Sequence, residues 1–151
     1  DIPVITTAKI GNARALGGVN TTILGRSFSP SDLTPSVRAG GTACELTEWV
    51  GDSSVRCKLS AGFGHSLSLH ATVSSHDVTA SLTEAVSFDV PNLQIVATTN
   101  RPQGAAVTFS TTVTGASFGQ SGPSVTARIG ATASEATEWV ADTSVVASVS
   151  T

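Results

Sequence analysis

The chain has little charge, few aromatics and almost no cysteine. Charged residues fill 13% of its 151 positions and aromatic ones 5%, and tyrosine and methionine are absent. Its basic residues, Lys9, Arg14, Arg26, Arg38, Arg56, Lys58, Arg101 and Arg128, are scattered, and the net charge is −3. That leaves no basic stripe for a phosphate backbone, so no nucleic acid is expected as a partner. No apolar run approaches the roughly 20 residues that span a bilayer, so no membrane span is expected. No stretch keeps helical spacing over three turns, which argues against a helical domain. A signal peptide and an initiator Met are also absent, and a start at Asp1 is expected of a processed or partial product.

Serine and threonine, by contrast, make up more than a quarter of the chain. β-Branched Thr and Val favour pleated sheet, and short polar side chains suit its solvated face. The apolar spacing agrees, because every second residue is apolar in Ser66-Leu67-Ser68-Leu69-His70-Ala71-Thr72-Val73. Val107, Phe109, Thr111 and Val113 alternate likewise, as do Val55, Cys57 and Leu59. Gly and Pro punctuate these runs at Gly17-Gly18, Ser29-Pro30, Gly40-Gly41, Pro102 and Gly122-Pro123. Short strands with turn residues between them predict a β-sandwich. Strands are expected near 2–10, 19–25, 35–39, 42–50, 53–59, 66–73 and 83–89.

The chain also repeats itself at an offset of about ninety positions. Thr21-Thr22-Ile23-Leu24-Gly25-Arg26-Ser27-Phe28 lines up with Thr111-Thr112-Val113-Thr114-Gly115-Ala116-Ser117-Phe118. Arg38 and Gly40 answer to Arg128 and Gly130. Thr47-Glu48-Trp49-Val50-Gly51-Asp52 matches Thr137-Glu138-Trp139-Val140-Ala141-Asp142 without a gap. Two modules follow, 1–89 and 90–151. After Ser60 the first continues through Asp89, whereas after Ser150 the second has only Thr151. The second therefore reads as lacking its last strands.

Cys44 and Cys57 belong to the first module, and Ser134 and Ala147 stand at their places in the second. Loss of both together is what one bond between them would produce. The alternative is two unrelated buried thiols. A bond closing this loop of about a dozen residues would contribute roughly 3 kcal/mol and would imply an oxidising, extracellular setting. Asn20-Thr21-Thr22 is an N-glycosylation sequon and agrees with that setting, and the Ser/Thr richness is compatible with O-linked sugar.

Four segments carry a family resemblance. They are Gly18…Thr22-Ile23-Leu24-Gly25-x-x-Phe28, Val37-Arg38-x-Gly40-Gly41-Thr42-x-Cys44, and Trp49-x-x-Asp52-x-Ser54-Val55-x-Cys57 with the closing Val86-Ser87-Phe88-Asp89. Together they resemble the IPT/TIG family of immunoglobulin-like domains, found in plexins, other receptor ectodomains and many protist and algal surface proteins. The likeness covers the first module and Val107 to Thr151 of the second. It implies an all-β fold of two tandem Ig-like sandwiches on a cell surface, and pairing of Cys44 with Cys57. The second module departs from the family in its missing cysteines and missing last two strands.

Candidate chemistry is sparse. His65, His70 and His76 fall close together, but His65 and His70 would lie on opposite faces of one strand, so no metal site is expected. Glu45, Glu48 and Asp52 invite a paired-carboxylate or Ca²⁺ reading. Glu135, Glu138 and Asp142 repeat them in register, which favours a structural turn. Trp49 and Trp139 could stack on sugars, though their common register favours packing on the sheet. No nucleophile elbow or phosphate-cradling loop is present, so neither catalysis nor a cofactor is expected.

The missing strands correspond to Ser66–Val73 and Thr83–Asp89, which carry Leu67, Leu69, Val73, Val86 and Phe88 inward. Their lost burial is on the order of 10 kcal/mol, comparable to the stability of a small domain. The sequence predicts an open groove lined by Val107, Phe109, Val113, Val145 and Val149, with Phe118 beside it. Strand addition would fill it, for instance by Ile2, Val4, Thr6, Ala8 and Ile10 of a neighbouring copy. Such head-to-tail contact builds a fibril unless it closes a ring. The expected function is thus a structural subunit of an extracellular or surface fibril, with copies of itself as partners and with possible covalent glycans. The alternative is a piece of a longer surface receptor or adhesin, with the missing strands beyond Thr151, in which the domains are spacer or ligand-binding modules and the partners are neighbouring domains of the same chain.

Overall fold

A computed structural model describes residues 2–73, 78–97, 109–120 and 124–149. The chain divides into two compact units, Asp1–Asp89 and Val90–Thr151. All regular structure among the described residues is β, and no helix among them is long and apolar enough to cross a membrane.

The first unit holds β1 (Val4–Ala8), β2 (Asn12–Ala13), β3 (Asn20–Arg26), β4 (Ser36–Ala39), β5 (Thr42–Ala43), β6 (Leu46–Gly51), β7 (Ser54–Lys58), β8 (Leu67–Val73) and β9 (Val78–Phe88). They form a four-stranded sheet of order β1-β3-β7-β6 and a five-stranded sheet of order β2-β9-β8-β4-β5. Between them lies one core that includes Ile5, Ile23, Phe28, Val55, Leu59, Leu69, Val86 and Phe88. Strand alternation decides who enters it. On β3, Thr21 and Ile23 point inward while Asn20, Thr22 and Leu24 face outward.

Two strands differ from expectation. The segment near 42–50 is two strands in two sheets. The amide of Cys44 donates to Val37 O of β4 (2.9 Å), and the next amide, of Glu45, donates to Lys58 O of β7 (2.8 Å). Adjacent amides thus bond to opposite sheets, and the chain changes layer at that peptide. In the opening strand the alternation Ile2, Val4, Thr6, Ala8, Ile10 does not hold. A register shift between Ile5 and Thr7 puts Ile5 in the core and leaves Ile2 and Thr6 exposed. An extra residue in one strand reverses the faces beyond it.

The second unit holds β10 (Asn92–Ala97), β11 (Phe109–Ala116), β12 (Arg128–Ile129), β13 (Thr132–Ala133), β14 (Ala136–Ala141) and β15 (Ser144–Val149). Its four-stranded sheet, β10-β11-β15-β14, reproduces β1-β3-β7-β6, and its hairpin β12-β13 reproduces β4-β5. Gly25 explains part of this likeness, because a Cβ there would strike Val4 O and the Phe28 ring. At Gly115 it would strike Asn92 O and the Phe118 ring. The hairpin turns also agree: Gly40 and Gly130 open them at φ of 57° and 61°, where glycine costs least. Among the described residues nothing in the second unit answers to β8 or β9.

Candidate functional site

The layer change is braced differently in each module. In the first, Cys44 at the crossing is bonded to Cys57 on the inner face of β7, with Cα atoms 5.9 Å apart. In the second, the Ser134 hydroxyl donates to Ala127 O (3.0 Å) and lies 2.6 Å from Thr137 Oγ1, which accepts the Ala127 amide (3.1 Å). A hydroxyl network thus stands where the disulfide stood, over a buried Ala147. The offset in the sequence located both positions, but the polar replacement was not anticipated.

The carboxylates form structural contacts. Asp52 Oδ1 accepts the Ser29 amide and Asp142 Oδ1 the Gly119 amide, each at 2.9 Å, so each aspartate brackets the turn after β3 or β11. Glu48 pairs with Arg56 (3.0 Å) and Glu45 with Lys58 (2.7 Å) on exposed sheet surface. Such pairs contribute at most about 1 kcal/mol each. His70 lies in β8, but His65 precedes that strand instead of sharing it, and His76 lies outside the described residues. Among the described residues no three His, Cys, Asp or Glu side chains gather as metal ligands would.

Neither tryptophan offers an open platform. Both are half-buried on the inner side of an edge strand, in line with Val55 and Val145 respectively. Trp49 Nε1 donates to Ser29 O (3.3 Å), while the buried Trp139 Nε1 has no hydrogen-bond partner among the described residues.

The expected groove takes a different form. Phe109, Val113 and Val145 do share one sheet face, with Val113 opposite Val145 and Phe109 opposite Val149 along the strands. Val145, however, is only 3% exposed, since it lies on an inner strand between Val113 and Trp139. It does not line open surface. Val107 lies outside the described residues, and the Val149 side chain does too. What is open lies toward β10, where Leu93 and Val96 are exposed beside half-buried Val113 and Phe109. The sequence missed Leu93 and Val96 because the repeat offset changes there: Val4 answers to Asn92, but Arg26 to Ala116.

Leu93 is the counterpart of Ile5, each opposite the glycine of the next strand. Ile5 is 6% exposed and Leu93 64%. The difference follows from the second layer, because β1 packs against β9 and β10 has no such neighbour among the described residues. The proposed donor strand, from Ile2 to Ile10, is itself engaged, with Val4–Ala8 paired to β3 of its own module. Donation to another copy would strip it from that sheet.

A cavity of about 110 Å³ opens at one end of the first module, between Gly40, Gly62, Phe63, Leu67, Phe88 and the disulfide. Its lining is mixed, with Thr42 and Ser60 among the apolar residues, and no ionisable side chain lines it.

The family model for the IPT/TIG domain matches residues 3–90. Among solved structures, the full extracellular region of plexin A4 is similar at a TM-score of 0.50 and 16% identity, covering 99% of this chain and 15% of that one. A second structure of that region gives 0.43 and 16%, covering 98% and 12%. SGBP-B from a complex xyloglucan utilization locus in Bacteroides uniformis gives 0.45 and 13%, covering 99% and 42%. At 16% identity the first of these is a likeness of fold alone, and the chain spans less than half the length of each. None of the curated protein sequences compared with the chain matches it.

Proposed function

Because the chain belongs to the IPT/TIG family, we propose that it forms tandem structural modules of an extracellular or cell-surface protein. The modules serve as spacers or ligand-binding elements, and strands from outside residues 1–151 complete the second one. The exposure of Leu93, against the burial of Ile5 at the same place, carries this reading. An apolar side chain of that size gains roughly 1.5–3 kcal/mol when covered. Two added strands in the position of β8 and β9 would cover it and would also pair β12, whose one partner among the described residues is β13. The bond between Cys44 and Cys57 supports an oxidising compartment.

Completion from the same polypeptide is favoured, because the N-terminal strand is already committed to β3. Completion by another copy, giving a head-to-tail fibril, is the second reading, and a β12 paired only to β13 among the described residues favours it as well. Native mass measurement and electron microscopy of material from the source decide between them. Discrete particles of a polypeptide longer than this chain are the expected result. Regular filaments of subunits close to 15.2 kDa plus sugar would overturn it in favour of intermolecular completion.

A further inference from the structure

We propose that Asn20 carries an N-linked glycan that covers Leu46 on the outer face of the β1-β3-β7-β6 sheet. A sequon is accepted in a strand only where the asparagine ends on the solvent side. Here the middle residue, Thr21, is 1% exposed and points into the core, so Asn20 and Thr22 point out. Asn20 is exposed, and it lies in one cross-strand row with Lys58 and Leu46, paired to Lys58 from either side. Two strand spacings separate Asn20 from Leu46, about 10 Å, within reach of the first sugars of a glycan. Leu46 is 61% exposed, an apolar side chain with no cover in its own module. Lys58, between them, turns its ammonium to Glu45 at 2.7 Å.

The second module supplies the control. Its equivalent row is Ser110, Ser148 and Ala136, with Ser110 and Ser148 hydroxyls 3.0 Å apart. The sequon and the large apolar residue are lost together, as the two cysteines are.

Attachment is a balanced transfer. Asn20 Nδ2 attacks the anomeric carbon of an oligosaccharide carried on a polyprenyl pyrophosphate, the co-reactant of the secretory membrane. The N–C bond forms, the bond from that carbon to the pyrophosphate oxygen breaks, and polyprenyl pyrophosphate leaves with the electron pair. The amide loses one proton to a base. The step belongs to the extended chain, before β3 closes on β7.

This inference rests on the extracellular placement proposed above. The test is secretion of the chain from a eukaryotic host, followed by peptide mapping. A glycopeptide containing Asn20 is expected, converted to aspartate by amidase release and lost in both Asn20→Gln and Thr22→Ala. Secreted, disulfide-bonded protein with unmodified Asn20 overturns the site and leaves the extracellular reading intact. Removing the glycan should raise binding of an apolar dye severalfold, and Leu46→Ala in the Asn20→Gln background should reverse the rise. Equal dye binding with and without the glycan would overturn the covering of Leu46.

Discussion

Ile5 and Leu93 occupy the same place in two copies of one sheet, and among the described residues only the first has a second layer above it. The four strands of the first module and the four of the second share order, register and the tight glycine beside the aromatic ring. The first closes over a core with β8 and β9, and the second leaves its first strand uncovered. A sheet of this family therefore holds its own geometry through local bonds, while burial is supplied by the opposing layer. The bracketing aspartates make the same point, because each closes its turn with the same two acceptors in both modules. Asp52 O and Asp142 O accept the amides of Phe28 and Phe118 at 2.9 Å, and their carboxylates take the next residue's amide.

The comparison can be broken most directly at those two residues. Ile5→Ala should cost the first module about 2–5 kcal/mol. Leu93→Ala should change the second by no more than about 0.5 kcal/mol, as for other exposed sites. Residue-resolved hydrogen exchange reads each module separately, and equal losses would mean that Leu93 is covered in solution. Next in size is the disulfide. Cys44→Ser with Cys57→Ala gives the first module the residue types of the second at both positions, with Thr47 already at the place of Thr137. The cost should be near 3 kcal/mol, less about 1 kcal/mol for any hydroxyl network that forms. Reductant should destabilise the first module alone in the unaltered protein, a difference visible in protease sensitivity. Smallest is the surface ion pair: Glu48→Gln should cost at most about 1 kcal/mol and less at high salt. A larger loss in a denaturant titration would mean that Arg56 and Glu48 are part of a tighter contact than their exposed positions allow.

Much of this was legible before any coordinates. Alternation marked β7, β8 and β11, and the paired absence of both cysteines pointed to the bond between them. The repeat favoured a structural turn for Glu45, Glu48 and Asp52; Asp52 does bracket a turn, while the two glutamates form surface ion pairs. The failures share a cause. The β5–β6 segment read as one strand because a change of layer leaves no compositional mark when a single peptide makes it. The face of β1 was misassigned because a bulge shifts the period without altering residue types. Val145 was placed in an open groove because the sequence shows which face a residue takes but not what lies over it. Leu93 went unseen because the segment between β10 and β11 differs in length from its counterpart and moves β10 off the common offset.

The sequence alone determined the all-β character and the self-similar segments, and it pointed to a bond between Cys44 and Cys57. These rest on local periodicity and on positions that repeat at a nearly constant offset, both properties of the linear chain. Only the tertiary structure decided that Ile5 is core while Leu93 is surface, that Ser134 and Thr137 replace the disulfide, and that Asn20 and Leu46 share a row. Those depend on which strands lie side by side and on whether a second layer covers them, and covering is a relation between distant segments that no local pattern encodes.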